Sequence, residues 1–114
     1  MNTSNNSSLL KGSLSVMILR LLEDREKMYG YEITQKVKDL TAGEMTITEG
    51  ALYPALHKLE AEGLLTTETQ VVDGRARKYY SLTKTGHTEA AGRIADLTSF
   101  LENLNLVLKL KPSI

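Results

Sequence analysis

At 114 residues the chain suits one modest domain, because a chain this short buries a smaller share of its surface than a larger one and gains readily from a partner copy. It has no cysteine, which excludes disulfides and thiolate metal sites, and no apolar run that resembles a membrane span or a signal-peptide core, so the expected location is cytoplasmic. Fourteen Lys plus Arg balance 14 Asp plus Glu, which speaks against indiscriminate coating of nucleic acid while leaving room for a local basic surface.

Residues 1–8 are polar and lack an apolar period, so they read as a loose N-terminal arm. From Leu9 a winged domain is expected to run to residue 83. Leu10, Leu14, Met17 and Leu21 recur at helical spacing, and Val16, Ile18, Leu19 and Leu22 widen the stripe, which predicts a mostly buried first helix. A charged connection over Asp24 to Met28 leads to a second helix that begins at Tyr29 or Gly30 and ends near Leu40. Ile33 and Val37 form its inward pair. Thr46 and Thr48 both offer an oxygen to cap the third helix, and Thr48 fits better because the periodic pattern starts just after it.

At 100° per residue, Leu52, Ala55, Leu56 and Leu59 share one face of the third helix, while Gly50, Pro54, His57 and Ala61 share the other. Tyr53 and Lys58 flank that second face. The N-terminal half therefore carries little side-chain bulk outward and can approach another surface closely, and its free N–H groups suit a phosphate. Pro54 lies late for a first-turn proline, so the helix starts nearer Ala51 or Tyr53, or its first turn is distorted.

Gly63 stops this helix, and Leu64-Leu65 begins a strand. Thr66 to Val72 and Arg77 to Leu82 are rich in β-branched and aromatic residues, with the turn signal Asp73-Gly74 between them. Around that tip Arg75, Arg77 and Lys78 face only Asp73, whereas acids gather at Glu23, Asp24, Glu26 and Glu32. Tyr79 and Tyr80 alternate on a strand, so at least one packs inward. Thr83 then caps a long helix from Lys84 to about residue 110, ahead of Pro112 and a short tail at residues 112–114.

In that helix Ala90, Ile94, Leu97, Leu101, Leu104 and Leu108 follow heptad spacing, and Phe100 and Val107 broaden the face. A helix about 40 Å long at ~1.5 Å per residue exceeds what so small a domain needs to cover itself. Residues 84–111 are therefore expected to be a dimerisation helix.

The predicted fold class is mainly α with a small β-hairpin wing: a winged helix-turn-helix plus a long C-terminal dimerisation helix. Such an arrangement places one helix in the major groove of duplex DNA, with basic side chains on the phosphates. Tyr53, His57 and Lys58 are the candidates for the groove, with Thr48 and Gly50 at the start of the helix. Arg75, Arg77 and Lys78 are assigned to phosphates or the minor-groove edge. A symmetric dimer implies an inverted-repeat operator whose half-sites lie about one helical turn, roughly 34–36 Å, apart.

Enzymatic chemistry has no candidate constellation. His57 and His87 are the only histidines, no phosphate-cradling Gly-Lys-Thr loop or histidine pair for a metal occurs, and Glu60 and Glu62 point in different directions on one helix. No catalytic residue, metal ligand or cofactor is therefore expected. The competing class is a winged-helix adaptor that binds protein without DNA, because one fold serves several functions.

The ordered stretches Leu10-Lys-Gly-Ser-Leu14, Tyr29-Gly-Tyr-Glu-Ile33, Glu49-Gly-Ala-Leu-Tyr-Pro-Ala-Leu56, Leu59-Glu-Ala-Glu-Gly-Leu64, Gly74-Arg-Ala-Arg-Lys-Tyr-Tyr80 and Leu82-Thr-Lys-Thr-Gly86 resemble the PadR family of bacterial transcriptional regulators, in its short form with a single C-terminal helix. The resemblance implies a homodimeric winged-helix repressor of a neighbouring transporter, detoxification or stress gene, acting in some cases on its own promoter. It places the family's recognition-helix tyrosine on Tyr53, its wing cations on Arg75, Arg77 and Lys78, and Lys11 near the DNA backbone. Some members hold a flat aromatic effector at the dimer interface between tryptophans. This chain has none, and Phe100 reads instead as a side chain of the dimer core. Any small-molecule effector would act between the subunits by shifting their separation, and no residue identifies one.

Overall fold

The computed structural model describes residues 3–109, with the side chains of residues 8–109. The elements in chain order are α1 (Thr3–Asp24), β1 (Met28–Tyr29), α2 (Gly30–Leu40), α3 (Glu49–Ala61), β2 (Leu65–Val72), β3 (Arg75–Leu82) and α4 (Lys84–Leu108). α1 begins at Thr3, inside the stretch expected as a loose arm, so most of that stretch continues the first helix. The expected stop at Pro112 and the tail lie outside the described residues.

α1 is the central rod, as its periodicity predicts. Leu14, Ile18, Leu19 and Leu22 are buried among Ile33 and Val37 of α2, Leu52, Leu56 and Leu59 of α3, and Tyr80 of β3, and Ala90 of α4 closes the same core. α2 starts one residue after Tyr29, whose backbone N–H donates to the Glu32 carboxylate at 3.0 Å. It ends with Ala42 in the left-handed region (φ 51°), where the Gly43 N–H donates to the Lys38 carbonyl at 2.8 Å and the Ala42 N–H to that of Asp39 at 3.2 Å.

α3 opens on Thr48, whose Oγ1 accepts from the Ala51 N–H at 3.2 Å. The helix starts at Glu49, not nearer Ala51 or Tyr53, and Pro54 lies within it. The Thr48 carbonyl accepts from both Ala51 (3.1 Å) and Leu52 (2.9 Å), so the first turn is tightened ahead of the proline. Pro54 has no N–H, which denies the Gly50 carbonyl its usual helical donor. At the other end the Leu64 N–H donates to the Leu59 carbonyl (3.0 Å) and the Gly63 N–H to that of Glu60 (2.9 Å) around a left-handed Gly63, and Leu59 and Leu64 are both buried against this turn.

The sheet has three strands in the order β1-β3-β2, all antiparallel. β2 and β3 form the expected hairpin. Val72 pairs with Arg75, so the turn is the two residues Asp73-Gly74, both with positive φ (52° and 77°), the conformation that matches strand twist. β3 consequently begins two residues before the predicted Arg77. β1 was not expected: two residues are too few to show a period, yet Met28 pairs with Tyr80 and Tyr29 with Tyr79.

Candidate nucleic-acid interface

Two elements carry the predicted site, and each is held by a different device. α3 turns Leu52, Leu56 and Leu59 into the core, which leaves Gly50, Tyr53, Pro54, His57 and Lys58 exposed. Gly50 has only the Thr48 Oγ1, at 3.9 Å, near the position a Cβ would take, so the start of the helix is bare. The Ala51 and Leu52 amides are already satisfied by Thr48, and Glu49 adds a carboxylate to this first turn. That leaves less room for a phosphate at the helix start than the sequence suggests.

Tyr53 is 36% exposed and has two neighbours that define it. Its ring lies 6.5 Å from that of His57, one turn on. Its other side rests on Gly30: a Cβ there would come within 2.5 Å of the Tyr53 hydroxyl oxygen. The glycine of the Tyr29-Gly30 pair is therefore what lets the hydroxyl end of the tyrosine approach the start of α2. The ring is both a core-edge group and an accessible one.

The wing separates its cations. Alternation along β3 puts Arg75, Arg77 and Tyr79 on one face of the sheet, with Tyr29 of β1 and Val72, Gln70 and Glu68 of β2. Lys78 falls on the opposite face with the buried Tyr80, its ammonium 5.6 Å from that ring's centroid. Tyr80 is buried in the core with residues of α1, α2 and α3, so Lys78 stands on the side of the sheet that faces the helices. The three cations share a hairpin but do not project together, because a strand reverses direction at every residue.

Arg77 is half-buried, with its guanidinium over the Tyr29 ring at 4.6 Å. Tyr29 and Tyr79 meet edge to face at 5.3 Å, and the Lys27 ammonium lies 5.5 Å from the Tyr79 ring centroid while pairing with Glu68 at 3.5 Å. The Tyr79 hydroxyl raises the already high pKa of Arg77. The Gln70 amide, which donates to Glu68 at 2.9 Å, and then Lys27 lower that of the Glu68 carboxyl. A guanidinium held over a ring is pre-set in direction, whereas Arg75 at the turn is exposed and unguided by a ring. Lys27, Tyr29 and Tyr79 escaped the sequence reading as members of this cluster. The signal that could have found them is the two-residue alternation of Arg75, Arg77 and Tyr79; the pairing of β1 left none.

Lys11 is exposed on α1. The predicted dimer seam divides in two. Ala90 is fully buried in the core of its own chain, contrary to its assignment to the seam, whereas Ile94 packs against that core and is half-buried. Leu97 is half-buried, while Phe100, Leu101, Leu104, Val107 and Leu108 are exposed by 59, 53, 37, 62 and 72%. Leu97 and Leu101 also border an apolar groove of about 360 Å³ between α1, the end of α2 and α4, whose wall includes Met17, Leu21 and Val37.

Three helices in this order, followed by a hairpin with a third short strand, define a winged helix-turn-helix. The model of the PadR-like family of transcriptional regulators matches residues 18–92, and the chain belongs to that family. The transcriptional regulator Rv3488 of Mycobacterium tuberculosis is 41% identical over 76 residues, covering 67% of this chain and 67% of that protein. A transcriptional regulator from Clostridium thermocellum superimposes with a TM-score of 0.80 at 25% identity, over 90% of this chain and 99% of that one. PadR of Bacillus subtilis, solved in complex with operator DNA, gives a TM-score of 0.62 at 25% identity, over 89% of this chain and 50% of that one. No helix among the described residues is long and apolar enough to cross a membrane.

Proposed function

We propose that this regulator binds double-stranded DNA as a homodimer and represses transcription from an inverted-repeat operator, its own promoter and a neighbouring transporter, detoxification or stress gene being the first to test. The observation that carries the reading is the bare, leucine-anchored N-terminal face of α3 beside a wing whose Arg77 is held ready on Tyr29. A B-DNA major groove about 12 Å wide admits one such helix. Tyr53, His57 and Lys58 then meet the groove and Gly50 lets the backbone come close. Arg75 and Arg77 take phosphates from the outer face of the wing, Lys78 takes them from its inner face, and Lys11 adds a backbone contact. The exposed distal half of α4 supports the dimer. A small-molecule effector would act between the subunits.

The test is fluorescence anisotropy with a labelled duplex from the chain's own upstream region, beside a scrambled duplex of equal length, at several salt concentrations. Salt-dependent and sequence-selective binding is expected, and Arg75→Ala should weaken it while lowering the salt slope by about 1. Absence of binding to any promoter duplex at low salt would replace this reading with that of a protein-binding adaptor.

A further inference from the structure

The end of α3 and both ends of the wing meet at the start of α4. α3 ends at Ala61 and is followed by the turn through Gly63-Leu64, the wing starts at Leu65 and closes at Leu82 directly opposite it, and Thr83 follows as the N-cap of α4. Thr83 uses every polar group it has there. Its hydroxyl accepts from the Gly86 N–H at 2.9 Å and donates to the Gly63 carbonyl at 2.7 Å, while its backbone N–H donates to the Leu64 carbonyl at 3.0 Å. Gly86 is buried, and a Cβ on it would collide with that same Leu64 carbonyl. Two turns along α4, Arg93 reaches back to Glu62 at 3.4 Å while held by Glu89 at 3.1 Å.

An N-cap needs only the acceptor half of this hydroxyl. The donor half goes instead to the left-handed Gly63 that ends α3, a contact 20 residues away in sequence that stabilises no element by itself. We infer that Thr83, with Gly86 and Arg93, is a positioning clasp that fixes the direction in which α3 is carried relative to α4, and so sets the distance between the two recognition helices of the dimer. The inference rests on the dimer proposed above. None of the three residues touches DNA in this role. Their effect is on how sharply the pair of α3 helices is spaced, which matters because the half-sites of an operator lie at a fixed separation. A looser joint spreads the population over separations, only some of which fit.

The absence of cysteine allows one spin label per chain, placed through Ala61→Cys at the exposed end of α3. Pulsed electron–electron resonance then reads the distance between labels across the dimer. A narrow distribution is expected for the otherwise unaltered chain and a clearly broader one for Thr83→Asp, which can still cap α4 but has no proton for the Gly63 carbonyl. Thr83→Ser keeps both functions and should restore the narrow distribution. Arg93→Gln, which leaves the cap untouched, should broaden it less, and it carries the test if Thr83→Asp does not fold by circular dichroism. In anisotropy titrations against operators lengthened or shortened by one base pair between half-sites, Thr83→Asp should discriminate several-fold less than the unaltered chain. Unchanged widths in both Thr83→Asp and Arg93→Gln would overturn the clasp while leaving the dimer intact. No dipolar coupling in the otherwise unaltered chain would remove the dimer and the clasp together.

Discussion

Leu14, Ile18 and Leu22 of α1 and Leu101, Leu104 and Leu108 of α4 repeat at the same helical spacing, three or four residues apart. The first set is at most 2% exposed, whereas the second ranges from 37 to 72%. α1 lies among α3, β3 and α4, so every turn of its stripe meets another element. α4 adds Ala90 to the core and packs Ile94 against it, while Leu101, Leu104 and Leu108 further along stay exposed. An apolar period specifies a face that must be covered. It does not say whether the cover comes from the same chain or another, and here one helix has both outcomes along its length.

Truncation inside the body should give the largest effect. Leu56→Ala removes a fully buried side chain and should lower unfolding free energy by about 2–5 kcal/mol. Urea denaturation should return the same loss at low and high protein concentration, since the cover is intramolecular. The distal half of α4 should behave in the opposite way. Leu101→Glu combined with Leu104→Glu should reduce the mass seen by light scattering from two chains to one and abolish any rise of Tm with concentration. An unchanged mass would mean that the bare stripe is not a seam.

Two smaller changes sharpen the comparison from the side of the body. Ala42 holds a left-handed conformation that costs a residue with a Cβ about 1 kcal/mol, so Ala42→Gly should raise stability by up to that amount in thermal unfolding. The effect should be the same whether or not α4 is paired. Burial raises the Tyr80 phenol above its ordinary pKa of 10.0. The stability this contributes is complete below that value and is lost as pH rises through the folded-state pKa, because the unfolded chain releases the proton first. Tyr80→Phe should therefore show a shallower fall of stability above pH 10 in denaturation series at alkaline pH, with no comparable change in the oligomer.

Local pattern specifies every element that announces itself through its neighbours along the chain. Leucine spacing gave α1 and the inward face of α3, Thr48 and Thr83 marked their helix starts with a hydroxyl, and Asp73-Gly74 supplied the positive φ that a two-residue hairpin needs. The bare face of α3 was legible for the same reason, since a helix with its leucines inward has only one other side. Tertiary structure alone decided what depends on residues distant in sequence. β1 is two residues that count as a strand only because Tyr79 and Tyr80 lie beside them. Arg77 parts company with Lys78 and settles on Tyr29, 48 positions earlier, because the register of β3 against β1 brings that ring under it. Ala90 belongs to the core rather than to a seam because α1 is there to bury it. Thr83 caps its own helix by a contact three residues away, readable from the sequence, and grips Gly63 by one 20 residues away, which only the closing of the hairpin brings within reach.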